Sequence, residues 1–153
     1  MDDLPVEFRQ ERYFVSTDRS RLDLDAVLAM LRDTHWGGDL TRESLGRAAA
    51  NSLCFGLYHG TTQVGFARVI TDLATYGYLS DVVIDQSCRG QGLGKWLIEC
   101  ILAHPDLQHL RRLALLTRDS PDLYAGFGFV PGPGARNYME LLGGASAMKR
   151  RTD

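Results

Sequence analysis

A glycine-rich turn near the middle of this 153-residue chain has the composition of a phosphate-binding site. The turn follows the apolar run Val82-Val83-Ile84, whose consecutive β-branched residues predict a strand that is covered on both faces. Apolar residues recur at helical spacing from Leu93 onward, which predicts that a helix begins at the turn. The first amide groups of a helix and the positive end of its dipole bind phosphate, and Arg89 and Lys95 add positive charge.

The spacing of the glycines in this turn argues against two common nucleotide-binding loops. A P-loop would need glycine where Arg89 stands, and serine or threonine where Trp96 stands. A dinucleotide fingerprint that starts at Gly90 fails because the residue five positions on is a lysine. The pattern that remains is Arg89-x-x-Gly92-x-Gly94 directly after a strand. By itself, such a short pattern is also compatible with a turn that binds nothing.

Length and charge restrict the class of protein. The chain has the size of one domain, residues 1–153, and its 17 basic and 19 acidic residues leave a net charge of −2. A nearly neutral chain favours neither a nucleic-acid partner nor a membrane surface. Cys54, Cys88 and Cys100 match no disulfide set and no metal site, so they are expected to be reduced thiols. These features, with an acidic N-terminus unlike a signal peptide, predict a cytoplasmic protein without a bound metal.

The remaining sequence supplies the elements that would position the turn. Alternating apolar residues predict strands over residues 12–17, 53–58, 63–70, 76–84, 113–117, 129–130 and 138–142. Helical spacing predicts helices over residues 24–33, 41–50 and 92–104, and a short one from Pro121 to Tyr124. Asp23 or Asp25 is well placed to begin the first helix, and Thr41 is a plausible N-cap of the second.

Two motifs and this order of elements resemble the GNAT superfamily of N-acetyltransferases. The pattern Arg89-x-x-Gly92-x-Gly94 resembles the loop of that family that binds the pyrophosphate of acyl-CoA. Roughly thirty residues later, Tyr124-x-x-x-Gly128-Phe129 resembles a second signature of the family. The resemblance implies an α/β (α+β) GNAT fold, in which a central mixed, mostly antiparallel sheet has one splayed parallel strand pair and helices on both faces.

The resemblance also implies an activity. Members of the family move an acetyl group from acetyl-CoA to a primary amine of a small molecule or peptide by direct attack. Two other classes stay open, a GNAT-fold sensor or subunit that binds acyl-CoA without turnover and an unrelated nucleotide-binding domain. The failed spacings described above argue against the nucleotide-binding domain. The sequence does not indicate which amine is the acceptor.

The family's functional positions can be transferred to matching residues of this chain. The resemblance implies that the following residues contact acetyl-CoA: Val82, Val83, Ile84, Arg89, Gly90, Gln91, Gly92, Leu93, Gly94, Lys95, Thr117, Asp119 and Tyr124. The first three would act through the main chain, with one N–H facing the thioester oxygen. Tyr124 would donate a proton to the departing thiolate, because a tyrosine with a pKa of about 10 is protonated at pH 7. The competing interpretation of Tyr124 is a ring packed in the core.

The sequence does not identify a general base. Many family members carry glutamate where this chain has Ser80, and the neighbouring Asp81 is expected on the opposite face of the strand. A water molecule held by Ser80, with help from Asp72 or His35, is one alternative. The resemblance places the acceptor wall at His35-Trp36, where Trp36 would stack on the substrate or, alternatively, cap the core. Asp81, Asp72, His35 and Trp36 are the candidates for the acceptor site. The last predicted strand, residues 138–142, would lie near a sheet edge and could pair with a second subunit in a homodimer.

Overall fold

The computed structural model describes residues 4–34, 38–132 and 137–146. The chain divides into two compact units, Met1–Leu116 and Thr117–Asp153, and the β-sheet belongs to the first. The expectation that residues 1–153 form one domain stays a prediction. Among the described residues, no helix is long and apolar enough to cross a membrane.

The first unit is built around a six-stranded sheet in the order β1-β2-β3-β4-β5-β6. Neighbouring strands from β1 to β5 are antiparallel, whereas β5 and β6 are parallel. The strands are β1 (Glu7–Gln10), β2 (Tyr13–Ser16), β3 (Leu53–His59), β4 (Thr62–Thr71), β5 (Tyr76–Ile84) and β6 (Arg112–Ala114). This arrangement confirms the predicted mixed, mostly antiparallel sheet with one parallel pair.

Four α-helices accompany the sheet. They are α1 (Leu24–Arg32), α2 (Arg42–Ala50), α3 (Leu93–Leu102) and α4 (Pro121–Ala125). The Asp23 carboxylate accepts the Ala26 N–H at 3.0 Å, and the Thr41 hydroxyl accepts the Ser44 N–H at 3.1 Å. Each side chain satisfies an amide at the start of its helix that has no partner within the helix. Of the two candidates for the start of the first helix, Asp23 is the cap, and the predicted cap Thr41 is confirmed.

Helices cover both faces of the sheet, as predicted. One face packs against α1 and α2 in a cluster of Val27, Leu28, Met30, Leu31, Leu45, Ala49, Cys54, Phe66 and Val83. On β3, the side chain after Cys54 is Phe55, whose ring contacts His104, just beyond the end of α3, edge-on at 5.6 Å. Successive residues of a strand point to opposite faces, so α1 and α2 lie on one face and the end of α3 lies on the other.

The structure corrects the predicted strands at both ends of the chain. Strand β2 forms a hairpin with β1, which was not predicted, and β6 ends at Ala114 instead of residue 117. The predicted strands over residues 129–130 and 138–142 are absent from the described chain. Met139 and Leu142 are 90% and 79% exposed. Apolar composition favours a strand only when a neighbouring strand or a core covers it, and this segment has neither among the described residues.

Candidate functional site

Strands β5 and β6 separate halfway along β5. Their ladder joins only Tyr76 to Arg112, Gly77 to Leu113 and Tyr78 to Ala114. Strand β6 ends there, whereas β5 continues to Ile84. Among the described residues, the second half of β5 therefore has no ladder partner on the β6 side, which is the splay that the resemblance implies.

Backbone alternation determines which groups of β5 face this open side. The Asp85 N–H donates to the Val64 carbonyl at 2.7 Å, and Val83 lies opposite Phe66 in the ladder with β4. Because alternate residues of an antiparallel strand present their amides to the same neighbour, Val83 faces β4. The main-chain groups of Val82 and Ile84 then point toward the open side.

This arrangement refines the prediction for Val82-Val83-Ile84. Only Val83 is fully buried, in the cluster beneath α1 and α2, whereas Val82 and Ile84 are half-buried. The expected coverage on both faces is therefore wrong for Val82 and Ile84. The Ile84 carbonyl accepts the Arg89 Nε–H at 3.1 Å. Of the three predicted main-chain positions, Val82 and Ile84 lie on the open side and Val83 does not.

A β-bulge sits at the start of this segment. The register of β4 against β5 passes from Phe66 opposite Val83 to Arg68 opposite Ser80, so Ala67 alone faces both Asp81 and Val82. Asp81 has φ 57°, in the left-handed region that is unfavourable for residues other than glycine. Such bulges redirect the groups that follow them and are common beside active sites.

The bulge corrects the predicted orientation of Asp81. The Arg68 Nε–H donates to the Asp81 carboxylate at 2.5 Å, and the two side chains are only 16% and 13% exposed. Arg68 is also the ladder partner of Ser80, so Asp81 does not point away from Ser80 to the opposite face. Arg68 was not among the predicted site residues. Its charge within the otherwise apolar run of residues 64–70 was the available signal.

The glycine-rich turn between β5 and α3 is held by local hydrogen bonds. The Asp85 carboxylate accepts from the Ser87 hydroxyl and backbone N–H, and these bonds lower the pKa of Asp85. Gly90 and Gly92 have φ values of 80° and 78°, which glycine adopts at little cost. The hydroxyl of Tyr13 in β2 donates to the Gln91 side chain at 3.2 Å, which ties the turn to the sheet.

Helix α3 begins at this turn with amides that no side chain of the described residues caps. The Trp96 N–H bonds to the Gly92 carbonyl at 3.0 Å. The amides of Leu93, Gly94 and Lys95 precede this first helical bond, so they have no partner within the helix. With the helix dipole and the neighbouring Arg89 and Lys95, they form a site of the kind that binds phosphate groups.

Gly94 is the residue of this turn that the protein's own structure does not explain. Its backbone is helical, and a Cβ built there would meet only the Ile84 side chain, at an ordinary 3.7 Å. Glycine inside a helix is less favourable than alanine by about 1 kcal/mol. Neither the backbone nor the packing requires glycine here, so the missing side chain leaves room beside the first amides of α3 for a group from outside the chain.

The second motif lies in the second unit. Tyr124, in α4, is half-buried, and its ring meets Phe129 edge-on at 5.8 Å. Gly128 has φ 96°, and the Phe129 N–H donates to the Tyr124 carbonyl at 3.2 Å. Burial raises the pKa of Tyr124, so its hydroxyl is protonated at neutral pH.

Thr117 and Asp119 occupy the turn that leads into α4. The Thr117 hydroxyl accepts the Ser120 N–H at 3.1 Å, and Asp119 pairs with Arg118 at 3.2 Å on the surface. These contacts suit a turn before a helix. A role in holding the cofactor stays a prediction for both residues.

Asp72 is not brought together with the other candidates. Its carboxylate accepts from the Thr75 hydroxyl and from the amides of Ala74, Thr75 and Tyr76, and these bonds hold the pKa of Asp72 well below its usual range. It precedes β5, and the five residue-to-residue steps from Tyr76 to Asp81 alone span roughly 16 Å of strand. Asp72 therefore organises the β4–β5 turn. His35 and Trp36 fall outside the described residues.

Comparison with known proteins agrees with this geometry. Residues 50–131 match the family model of the acetyltransferase (GNAT) domain. A candidate acetyltransferase from Gibberella zeae is 36% identical over 91% of this chain and 88% of its own length. The crystal structure of a candidate GNAT-family acetyltransferase from Xanthomonas campestris is 45% identical, covers 84% of this chain and 92% of its own, and has a TM-score of 0.81.

A more distant structure adds a likeness of fold. A Mycobacterium tuberculosis protein, solved in complex with CoA, has a TM-score of 0.63 and 19% identity over 90% of this chain and 80% of its own. The family model covers more than half of the chain, and the Gibberella zeae relative exceeds one third identity over nearly all of it. The candidate site comprises the splayed β5–β6 pair, the bulge and the glycine-rich turn. The protein that carries it belongs to the GNAT acetyltransferase family.

Proposed function

We propose that this protein transfers the acetyl group of acetyl-CoA to a primary amine by direct attack. In this reaction the amine nitrogen bonds to the thioester carbon, the carbon–sulfur bond breaks, the nitrogen loses a proton and the thiolate gains one. Family membership supports the reaction class, and the distant relative solved with CoA supports the type of ligand. The observation that carries the proposal is Gly94, whose missing side chain has no explanation within the protein.

Two parts of the first unit would bind and orient acetyl-CoA. The turn from Arg89 to Lys95 presents helix amides and positive charge that suit a pyrophosphate. The second half of β5 presents main-chain groups of Val82 and Ile84 that suit the amide-rich pantetheine arm. We assign the Val82 N–H to the thioester oxygen, where a fixed donor would stabilise developing negative charge.

The proton transfers are assigned to different groups. Tyr124 would protonate the thiolate, which is supported by the family motif and by a raised pKa that keeps its hydroxyl protonated. Asp72 and Asp81 are poor candidates for the base, because both carboxylates already accept hydrogen bonds within the protein. We therefore propose that water removes the amine proton, with Ser80 beside the bulge as its most suitable ligand.

Gly94→Ala is the sharpest test of the ligand site. The added methyl group should lie where the pyrophosphate binds, so acetyl-CoA affinity measured by calorimetry should fall at least tenfold. In the ligand-free protein, the same change should raise the free energy of unfolding by about 1 kcal/mol through helix propensity. Gly46→Ala in α2 is the matched control, because a Cβ there would lie 3.6 Å from Leu24, again an ordinary contact.

The control should gain similar stability and bind acetyl-CoA as the wild type does. Equal affinity of Gly94→Ala and wild type would refute the assignment of the turn.

A second candidate function is a sensor or subunit that binds acyl-CoA without turnover. Ser80, in place of the glutamate of many relatives, favours it. Thiol release from acetyl-CoA across a panel of small amines and peptide amines separates the two functions. Binding without thiol release from any amine would favour the sensor, whereas amine-dependent release would identify both the enzyme and its acceptor class.

A further inference from the structure

We propose that Arg68 is a positioning residue for acyl transfer, which holds Asp81 in its left-handed conformation and thereby directs the Val82 amide to the open side of β5. The inference rests on the proposed function, because it assigns a purpose to that amide. It adds a residue of β4 that lies outside both family motifs and contacts β5 at the bulge.

The bulge determines where the Val82 amide points. On one side of it Arg68 lies opposite Ser80, and on the other Phe66 lies opposite Val83. If the ladder continued from Ser80 without the extra residue, Val82 would stand opposite Phe66 instead. Its amide would then face β4 and hydrogen-bond within the ladder, because a shift of one residue reverses the side to which each amide of a strand points. The orientation of the Val82 amide toward the open side of β5 therefore depends on the bulge.

The bulge in turn depends on an unfavourable backbone conformation. Asp81 has φ 57°, which residues other than glycine adopt only where the surroundings impose it. The imposing contact is the ion pair with Arg68, at 2.5 Å between two largely buried side chains. Regular β geometry at Asp81 would remove the bulge and separate the Asp81 carboxylate from the Arg68 guanidinium.

Arg68 is itself anchored on the side away from Asp81. Its second guanidinium nitrogen donates to the Ser52 hydroxyl at 3.2 Å, and that hydroxyl donates to the Ala48 carbonyl in α2 at 2.8 Å. Arg19 fixes the same segment, with bonds of 2.6 Å to the carbonyls of Ala50 and Ser52. A chain of contacts thus runs from the end of α2 to the bulge.

Two double variants separate positioning from mere support of the fold. Arg68→Met alone should lower kcat about tenfold or more, though by less than the 10²–10³-fold loss that follows deletion of an oxyanion donor. In Arg68→Met the Asp81 carboxylate has lost its ion-pair partner. Adding either Asp81→Gly or Asp81→Ala to this variant removes that carboxylate. Only glycine adopts the left-handed conformation readily, so the glycine double variant should regain most of the lost kcat. The alanine double variant should stay about tenfold below the glycine one.

An infrared measurement reads the Val82 amide without an acceptor amine. A hydrogen bond to the thioester oxygen lowers the carbonyl stretch of bound acetyl-CoA labelled with ¹³C at the carbonyl carbon. The band should shift toward its value in free acetyl-CoA in Arg68→Met and in the alanine double variant, and return in the glycine double variant. Arg19→Met is the control, because it weakens the same segment without touching Asp81 and should lower Tm but leave the band unchanged.

Each outcome decides the inference. If wild type binds acetyl-CoA but the two double variants match in band position and in kcat, Arg68 only supports the fold and the inference is overturned. If the glycine double variant is as inactive as the alanine one but keeps the wild-type band, Asp81 acts through its carboxylate and positioning is again overturned. Failure of wild type to bind acetyl-CoA would overturn the proposed function, and this inference with it.

Discussion

The turn before α3 and the turn after α4 both contain glycines, yet the glycines are there for different reasons. After α4, Gly128 has φ 96°, and a Cβ at Gly126 would lie 3.3 Å from the Leu123 carbonyl, tighter than an ordinary contact. Before α3, Gly92 is likewise explained by its φ of 78°, but Gly94 is explained by nothing in its own chain.

On the proposed function, the contrast separates glycines that serve the fold from a glycine that serves a ligand. In sequence, both turns resemble family motifs. In the structure, the turn after α4 allows Phe129 to pack on Tyr124, whereas the turn before α3 leaves amides and open space. Edge-on packing with Phe129 uses the Tyr124 ring, so chemistry in the second motif depends on the hydroxyl alone.

The largest expected effect, and the one that could break this contrast, is that of Tyr124→Phe. If the hydroxyl protonates the thiolate, its removal should lower kcat about 100-fold, near the lower end for a positioned general acid. The ring and its contact with Phe129 remain, so acetyl-CoA affinity and Tm should stay close to wild type. The measurement is kcat with the best amine of the panel, under conditions where chemistry limits the rate.

Tyr58→Phe is the matched control for this experiment. The buried Tyr58 hydroxyl has no hydrogen-bond partner among the described residues, so its removal should leave kcat unchanged and should not lower Tm. A kcat of Tyr124→Phe within about twofold of wild type would assign the second motif to packing only.

The pH profile tests the same assignment. Tyr124 must be protonated to act as the acid, and burial raises its pKa above the ordinary value of about 10. Activity that depends on this proton is present below that pKa and is lost as pH rises through it. The wild type should therefore show its alkaline loss of kcat only above about pH 10, and Tyr124→Phe should lack it. A fall in wild-type kcat between pH 7 and 9 would contradict the assignment.

Features fixed by neighbouring residues were predictable from the sequence. The bounds of β5, residues 76–84, and the caps Asp23 and Thr41 agree with the prediction, because a cap or an apolar run is written within a few residues. The glycine-rich turn was found for the same reason. Its residues and the helix that follows are contiguous.

Features that depend on distant pairing were not predictable. The bulge at Asp81 arises from the register of two strands and from Arg68, thirteen positions away. For that reason the sequence could not tell that Val82 and Ile84 face the open side and Val83 does not, nor that Asp81 turns toward Arg68. The strand predicted over residues 138–142 failed because strand formation needs a partner, which local composition does not supply. The homodimer inferred from it stays a prediction.

A smaller effect, in thiol reactivity, should distinguish the glycine-rich turn before α3 from the core. Cys88 stands in the turn and is half-exposed, whereas Cys54 and Cys100 are buried, which raises their pKa values to about 11 and about 12. Because the thiolate is the reactive form, a maleimide at pH 7 should label only Cys88 in the folded protein. Saturating acetyl-CoA should slow this labelling several-fold, as followed by mass spectrometry.

Denatured protein, in which all three thiols should react, is the control for reagent access. An unchanged rate of Cys88 labelling with acetyl-CoA bound would place the ligand elsewhere.

The smallest effect expected is that of Gly128→Ala, and it should run opposite to Gly94→Ala. A Cβ at Gly128 meets no atom of the described chain within 4 Å, so the cost arises from φ 96° alone. Forcing alanine into such a conformation should lower the free energy of unfolding by roughly 1–2 kcal/mol, with a Tm shift of about 2–4 °C per kcal/mol. Acetyl-CoA affinity should change little, because no ligand contact is assigned to this residue.

Paired thermal melts and calorimetry on Gly128→Ala and Gly94→Ala therefore test the whole contrast. Stability should fall and affinity hold at position 128, while stability rises and affinity falls at position 94. Loss of acetyl-CoA affinity in a folded Gly128→Ala protein would show that both glycine turns serve the ligand.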